Sequence, residues 1–252
     1  MDASVWCRFD FVGVLRYAPY AARRASLDSE LLRVGLAYHA TSFWHSEDVY
    51  LMQAVERIRR TPFLAERARL AVLSLYHLQM ARVALDLGAQ HMLFLEDDVR
   101  FLRDTNTLER VVRDLPADYD VAFFDAFAAV RARSVAGFLE QATGERATVC
   151  LARPRTKLLR SCACYALSRR GAERFVGCLE GAARGGEALR VCDQFLGRFA
   201  VDETLATYLA WPLAAVQAFQ RDSTSGADAI RAGYDALRVD RSRYMVYEGD
   251  LT

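Results

Sequence analysis

"HMLFLEDDVRFL", His91 to Leu102, sets the apolar run Met92 to Leu95 against three consecutive carboxylates, Glu96, Asp97 and Asp98, and turns apolar again at Val99. A short continuous apolar run is what a sheet covered on both faces requires of its inner strands. Three adjacent anions repel one another, so a positive partner is expected where the run ends.

Outward from this stretch, strands and helices alternate. Upstream, "FDFVGVLRY" (9–17) reads as a strand and "RASLDSELLRVGL" (24–36) as a helix stopped at Gly35, with Leu27, Leu31 and Leu32 at helical spacing. Residues 37–44 form a second strand candidate, and helices are expected from Ser46 and from the Thr61-Pro62 cap through to Gly88. Downstream, a helix is expected over 105–114, strands over 119–124 and 162–168, and a helix from Arg169 to about Ala183. Loops with a strand near "RATVCLA" fill 131–159, and "ARGGEALR" reads as a turn. "VCDQFLGRF" reads as a helix, "LATYLAWPLAAVQ" as extended with Pro212 at an edge, and 227–238 as a terminal helix. Alternation of this kind implies an α/β fold: a mixed, mostly parallel sheet flanked by helices, in which ligands bind beyond the carboxyl ends of strands. Residues 1–225 are expected to form one domain, with 226–252 a helix and tail packed on it.

Composition narrows the function. Arginine supplies almost all the positive charge, but the net charge of +1 and the lack of a basic stripe exclude a dedicated nucleic-acid binder. No apolar run reaches the roughly 20 residues that span a bilayer, so any membrane contact is peripheral. The opening "MDASVWCRFDF" lacks a basic segment followed by a long apolar one, so a cytoplasmic location is expected. The six cysteines are then reduced thiols. Cys162 and Cys164 carry no Cys-x-x-Cys spacing and no histidine-rich partner set, which predicts small buried hydrophobes rather than zinc ligands.

The triplet suits a hard divalent cation, Mn²⁺ or Mg²⁺, which takes oxygen ligands from one or two carboxylates and completes its shell with substrate phosphates. A solvated acidic turn neutralised by Arg100 and Arg103 is the structural alternative. There is no Gly-x-Ser-x-Gly elbow, P-loop or dinucleotide fingerprint.

"LSLYHLQMARVALDLGAQHMLFLEDDVRFL" (73–102) resembles the central block of glycosyltransferase family 25, the lipopolysaccharide and collagen-type galactosyl- or glucosyltransferases, through Ser74, His77, Gly88 and Glu96 to Asp98. "SCACYALSRRGAERFVGCLE" (161–180) resembles a second block through Tyr165, Ser168, Gly171 and Ala172, and a third, weaker block falls on Asp193, Pro212, Gln217 and Ser223 or Ser225. The resemblance implies a GT-A-like, Rossmann-like fold, a UDP-sugar donor, Mn²⁺ or Mg²⁺, and inverting transfer of a hexose to a hydroxyl of a glycan or other acceptor. By that analogy Asp98, with Glu96, holds the metal, and Glu96 and Asp97 face the donor ribose or the metal's water shell.

Inversion needs a base opposite the leaving group. Asp193 is the candidate, with Asp202 and Glu203 as competitors and a helix cap or exposed charge as its structural alternative. Ser74 and His77 lie one helical turn apart and share a face, lining the donor pocket or anchoring the helix as a buried polar pair. Arg23 and Arg24 are candidates for diphosphate pairing, although the Asn-Leu that usually precedes that arginine is missing. All four histidines precede the triplet, so Asp222 is the candidate for a late metal ligand. Two other functions stay open: a non-catalytic nucleotide-sugar-binding or scaffolding module, and another nucleotide-diphosphate enzyme such as a nucleotidyltransferase.

Overall fold

A computed structural model describes residues 5–18, 21–44, 65–102, 104–128, 151–152, 159–184, 192–199, 204–210 and 213–218. The elements expected from Ser46 and Thr61 to Phe63 and over 227–238 lie outside these residues, as do His45, Arg103, Cys150, Asp202, Glu203, Pro212, Asp222, Ser223 and Ser225.

The strands of the main sheet are β1 (Phe11–Tyr17), β2 (Ala40–Trp44), β3 (His91–Glu96), β5 (Val121–Phe123), β7 (Leu151–Ala152), β9 (Cys164–Ser168) and β10 (Thr207–Ala210). Their spatial order is β2-β1-β3-β9-β5-β10-β7. Parallel pairings join β2, β1 and β3, and also β5 and β10, while β9 and β7 run against their neighbours. Five of the seven strands therefore point the same way, which is the mixed, mostly parallel sheet the alternation implied.

Helices cover both faces. The helices α1 (Ala21–Val34) and α3 (Thr105–Asp114) lie on one, and α2 (Ala65–Asp86), α4 (Arg169–Arg184) and α5 (Cys192–Phe199) on the other. β3 shows why its run is continuously apolar: Met92 and Phe94 pack with α2, α4 and α5, while Leu93 and Leu95 pack with α1 and α3. Alternate side chains reach opposite cores.

The helix stops are those the glycines implied. Gly35 (φ 68°) and Gly88 (φ 83°) take the left-handed conformation that ends α1 and follows α2. Asp104 caps α3 by accepting the Thr107 N–H at 2.9 Å. On α1, Leu27 and Leu31 are buried as expected, but Leu32 is 83 % exposed. Leu27 and Leu31 are four residues apart and share a stripe, and one further residue rotates Leu32 about 100° away from it.

Two further corrections concern strands. The apolar residues after the triplet form β4 (Val99–Phe101), which pairs antiparallel with β11 (Ala215–Gln217) in a separate ribbon. The extended segment around Pro212 is thus two strands in two sheets. The strand expected over 162–168 begins at Cys164, because Ser161 sits at φ 139° and reorients the chain before it. Cys162 and Cys164 consequently serve opposite cores. A short pair, β6 (Phe127–Ala128) with β8 (Leu159–Arg160), completes the described strands.

Candidate functional site

The triplet occupies the turn between β3 and β4, at the carboxyl end of the parallel strands. Backbone bonds clamp the turn on both sides: Glu96 N–H donates to Ala163 O at 2.9 Å, and Ala218 N–H donates to Asp98 O at 2.6 Å. The ribbon β4–β11 therefore fixes the direction in which the acids point.

Each carboxylate has a different surrounding. Asp97 accepts the Tyr17 N–H at 2.6 Å and lies 3.4 Å from Arg23 Nη1. Asp98 receives the same Nη1 at 3.4 Å and the Gln217 amide at 2.9 Å, both on Oδ2. Its other oxygen, Oδ1, is buried and has no hydrogen-bond partner among the described residues. Glu96 stands 3.1 Å from His77 Nε2, and His77 Nδ1 stands 2.9 Å from the Tyr165 hydroxyl. With Glu96 ionised, Nε2–H donates to it and Nδ1 accepts from Tyr165, so a buried chain of hydrogen bonds aims the carboxylate.

Electrostatics follow from this crowding. Burial, then the nearby Asp98, raises Glu96 well above the ordinary carboxyl range, and Asp193 adds to the effect. Burial and Asp98 push Asp97 up to about 7 despite Arg23. Asp98 is raised by burial, against the pull of Arg23 and Gln217. Burial lowers His77 to about 3, so it is neutral at physiological pH. Arg23 is thus the positive partner that three adjacent acids called for. One guanidinium shared between two carboxylates leaves net negative charge, a favourable setting for a divalent cation.

Arg23 joins the acids, while Arg24 places its guanidinium over the Phe43 ring at 5.6 Å, away from them. His77 meets Glu96, whereas Ser74, fully buried, accepts the Cys192 N–H at 2.7 Å and ties α2 to the start of α5. Asp193 lies in the first turn of α5, near enough for its charge to raise Glu96. The Tyr165 and Gln217 contacts give positions to two residues the resemblance had marked without roles.

Two features had no reading from sequence. Cys162 and Cys192 come together beside His77 although 30 positions separate them, because α5 packs against α2; Cys162 and Cys164 are buried, as expected. Asp125, fully buried just beyond β5, accepts the Ser161 hydroxyl. An acid immediately after an apolar strand, the same pattern as at β3, was its available signal.

No protein-family model matches the chain, and no curated protein does. Among solved structures it is similar to A197 from STIV (14 % identity, TM-score 0.40, covering 83 % of this chain and 86 % of that one). It is also similar to a glycosyltransferase involved in glycosylation of the major capsid of PBCV-1 (7 %, 0.43, 89 % and 99 %). A third similar structure is mouse xyloside xylosyltransferase 1 in its apo form (10 %, 0.40, 96 % and 98 %). Likeness at this level is too slight to argue from, and the reading below rests on the site.

Proposed function

We propose that the protein is a cation-dependent glycosyltransferase that moves a hexose, galactose or glucose, from a UDP-sugar to a hydroxyl of a glycan or other acceptor with inversion. The observation that carries the reading is Asp98: a buried carboxylate at the carboxyl end of an inner strand, held by Arg23 and Gln217 through one oxygen while the other has no hydrogen-bond partner among the described residues. A Mn²⁺ or Mg²⁺ ion would be held by Asp98, with Glu96 alongside, and would neutralise the charge that develops on the departing diphosphate.

The chain's own residues account for the rest. Arg23, pinned between Asp97 and Asp98, adds fixed positive charge beside the diphosphate. Asp97 orients that guanidinium and holds the end of β1 through Tyr17. His77, kept neutral and anchored by Tyr165, sets the rotamer of Glu96. Asp193 takes the proton from the acceptor hydroxyl, and its proximity to Glu96 supports that role. Ser74 positions α5, and hence Asp193, rather than touching the donor.

Calorimetric titration of UDP, then UDP-galactose and UDP-glucose, with Mn²⁺ and with EDTA tests the reading. Metal-dependent UDP binding that Asp98→Asn abolishes, with the fold intact by circular dichroism, is expected. UDP binding unaffected by EDTA or by the substitution would remove Asp98 from the role. No UDP binding under any condition would favour a scaffolding module, and pyrophosphate release in turnover would indicate a nucleotidyltransferase.

A further inference from the structure

Behind the triplet, His77, Cys162 and Cys192 each direct a ligand atom inward, and these atoms lie within 4.8 Å of one another. The three residues are 0 %, 7 % and 0 % exposed, and they come from α2, from the residues ahead of β9 and from the first position of α5. We infer that this cluster is a binding site for a thiophilic divalent cation of the zinc class, separate from the carboxylate site at Asp98. The inference goes beyond the glycosyl-transfer reading and does not depend on it.

The donor set selects the ion. Two sulfurs and an imidazole nitrogen are soft to borderline ligands that suit zinc, unlike the all-oxygen environment that Mn²⁺ and Mg²⁺ prefer. Charge makes burial acceptable: two thiolates cancel a dication, and neutral His77 adds none. Bonds of about 2.0–2.3 Å place tetrahedral ligand atoms roughly 3.3–3.8 Å apart, so side-chain rotation of about an ångström closes the set.

The surroundings are those of a supported metal site. A metal-bound histidine is normally oriented through its second nitrogen by a carboxylate, and Glu96 stands 3.1 Å from His77 Nε2. Ligation through His77 Nδ1 displaces the Tyr165 hydroxyl, 2.9 Å away, which is left to donate to the Cys192 thiolate. Binding forms two sulfur–metal bonds and releases the two thiol protons to solvent, with no change of oxidation state. Burial raises both thiols, so those protons are present until a cation displaces them. Cys164 supplies a contrast within the molecule: equally buried, it faces the other core and belongs to no such cluster among the described residues.

Two measurements test the site. In the first, the chelator-stripped full chain is titrated with Co²⁺ under reducing, anaerobic conditions, and near-ultraviolet thiolate-to-cobalt charge transfer is recorded. Saturation at one equivalent, displacement by Zn²⁺, retention in Asp98→Asn and loss of at least half the intensity in Cys162→Ser or Cys192→Ser are expected. Absence of charge transfer, its persistence in both cysteine variants, or its loss in Asp98→Asn would each overturn the proposal.

The second uses the wild-type chain and stands even if the cysteine variants fail to fold. Alkylation in mild denaturant is mapped by mass spectrometry with and without Zn²⁺. Slowing of at least tenfold at Cys162 and Cys192 relative to Cys164 is expected. Equal rates at all three positions, or no effect of Zn²⁺, would refute ligation.

Discussion

At the scale of single residues, the arginine pair in α1 separates function from packing. Arg23 is buried and shared between Asp97 and Asp98, whereas its neighbour Arg24 covers a half-exposed phenylalanine. Removing one partner of a buried ion pair strands the others, a loss of about 3 kcal/mol or more. Arg23→Ala is therefore expected to lower stability by that order at pH 8 and by less at pH 5, where Asp97 is neutralised by a proton. Arg24→Ala is expected to change stability by about 0.5 kcal/mol or less. Urea denaturation of both variants at the two pH values measures this. Equal losses would mean that Arg23 contributes only its aliphatic packing. The sequence presented the two arginines as equivalent, because adjacent helical positions point about 100° apart and only the placement of α1 against β3 decides which one meets the acids.

At the scale of elements, the junction of β9 and α4 is the tightest backbone approach among the described glycines. A Cβ on Gly171 would lie 2.0 Å from the carbonyl oxygen of Asp120, and a backbone atom cannot swing aside. The junction is otherwise well bonded: the Ser168 hydroxyl accepts the Gly171 N–H at 3.1 Å and Asp120 receives Arg170 Nε at 2.8 Å. Gly171→Ala is expected to cost about 3 kcal/mol, at the upper end of overpacking, as measured by the shift of the urea midpoint. A shift within error would show that α4 can slide off the sheet. Ser168 and Gly171 were marked in the sequence only through the family resemblance, while the strand and helix that they join were legible from local pattern. So were β1, β3, α3 and the glycine stops, whose periodicity and caps are local. β4 and β11 were not, since each is three residues long and exists only by pairing with the other across more than 100 positions of chain. The acid triplet was visible as chemistry, but the His77–Tyr165 support and the cysteine cluster depend on how α2, β9 and α5 meet.

At the scale of the whole molecule, two buried systems impose opposite pH dependences on stability. His77 titrates near 3 in the folded chain and near its ordinary 6.5 when unfolded. The unfolded state takes up a proton that the native state refuses, so His77's contribution is complete above about 6.5 and is lost as pH falls toward 3. Asp97 runs the other way, from an ordinary 3.8 to about 7 in the fold. Its contribution is present below 3.8 and is lost as pH rises through 7, and Glu96 and Asp98 are shifted in the same direction. Between about pH 4 and 6.5 the two effects oppose each other, but three raised acids outweigh one histidine, so wild-type stability should fall as pH rises, less steeply than the acids alone would make it. His77→Phe removes one of them, so its stability, lower throughout, should rise steadily from pH 7 to pH 5. Above pH 7 Asp97 is ionised beside its acidic neighbours and destabilises the fold, which is where a divalent cation helps most. Each proton that must leave a carboxyl weakens the apparent cation affinity about tenfold per pH unit below its pKa. The rise in melting temperature produced by a fixed Mn²⁺ concentration with UDP should therefore be several-fold larger at pH 8 than at pH 5.5, and should vanish in Asp98→Asn. Differential scanning calorimetry at the two pH values decides the matter. An Mn²⁺ effect of equal size at both, or one that survives Asp98→Asn, would mean that the ion binds away from the raised acids and that the charge stored in the triplet serves another ligand.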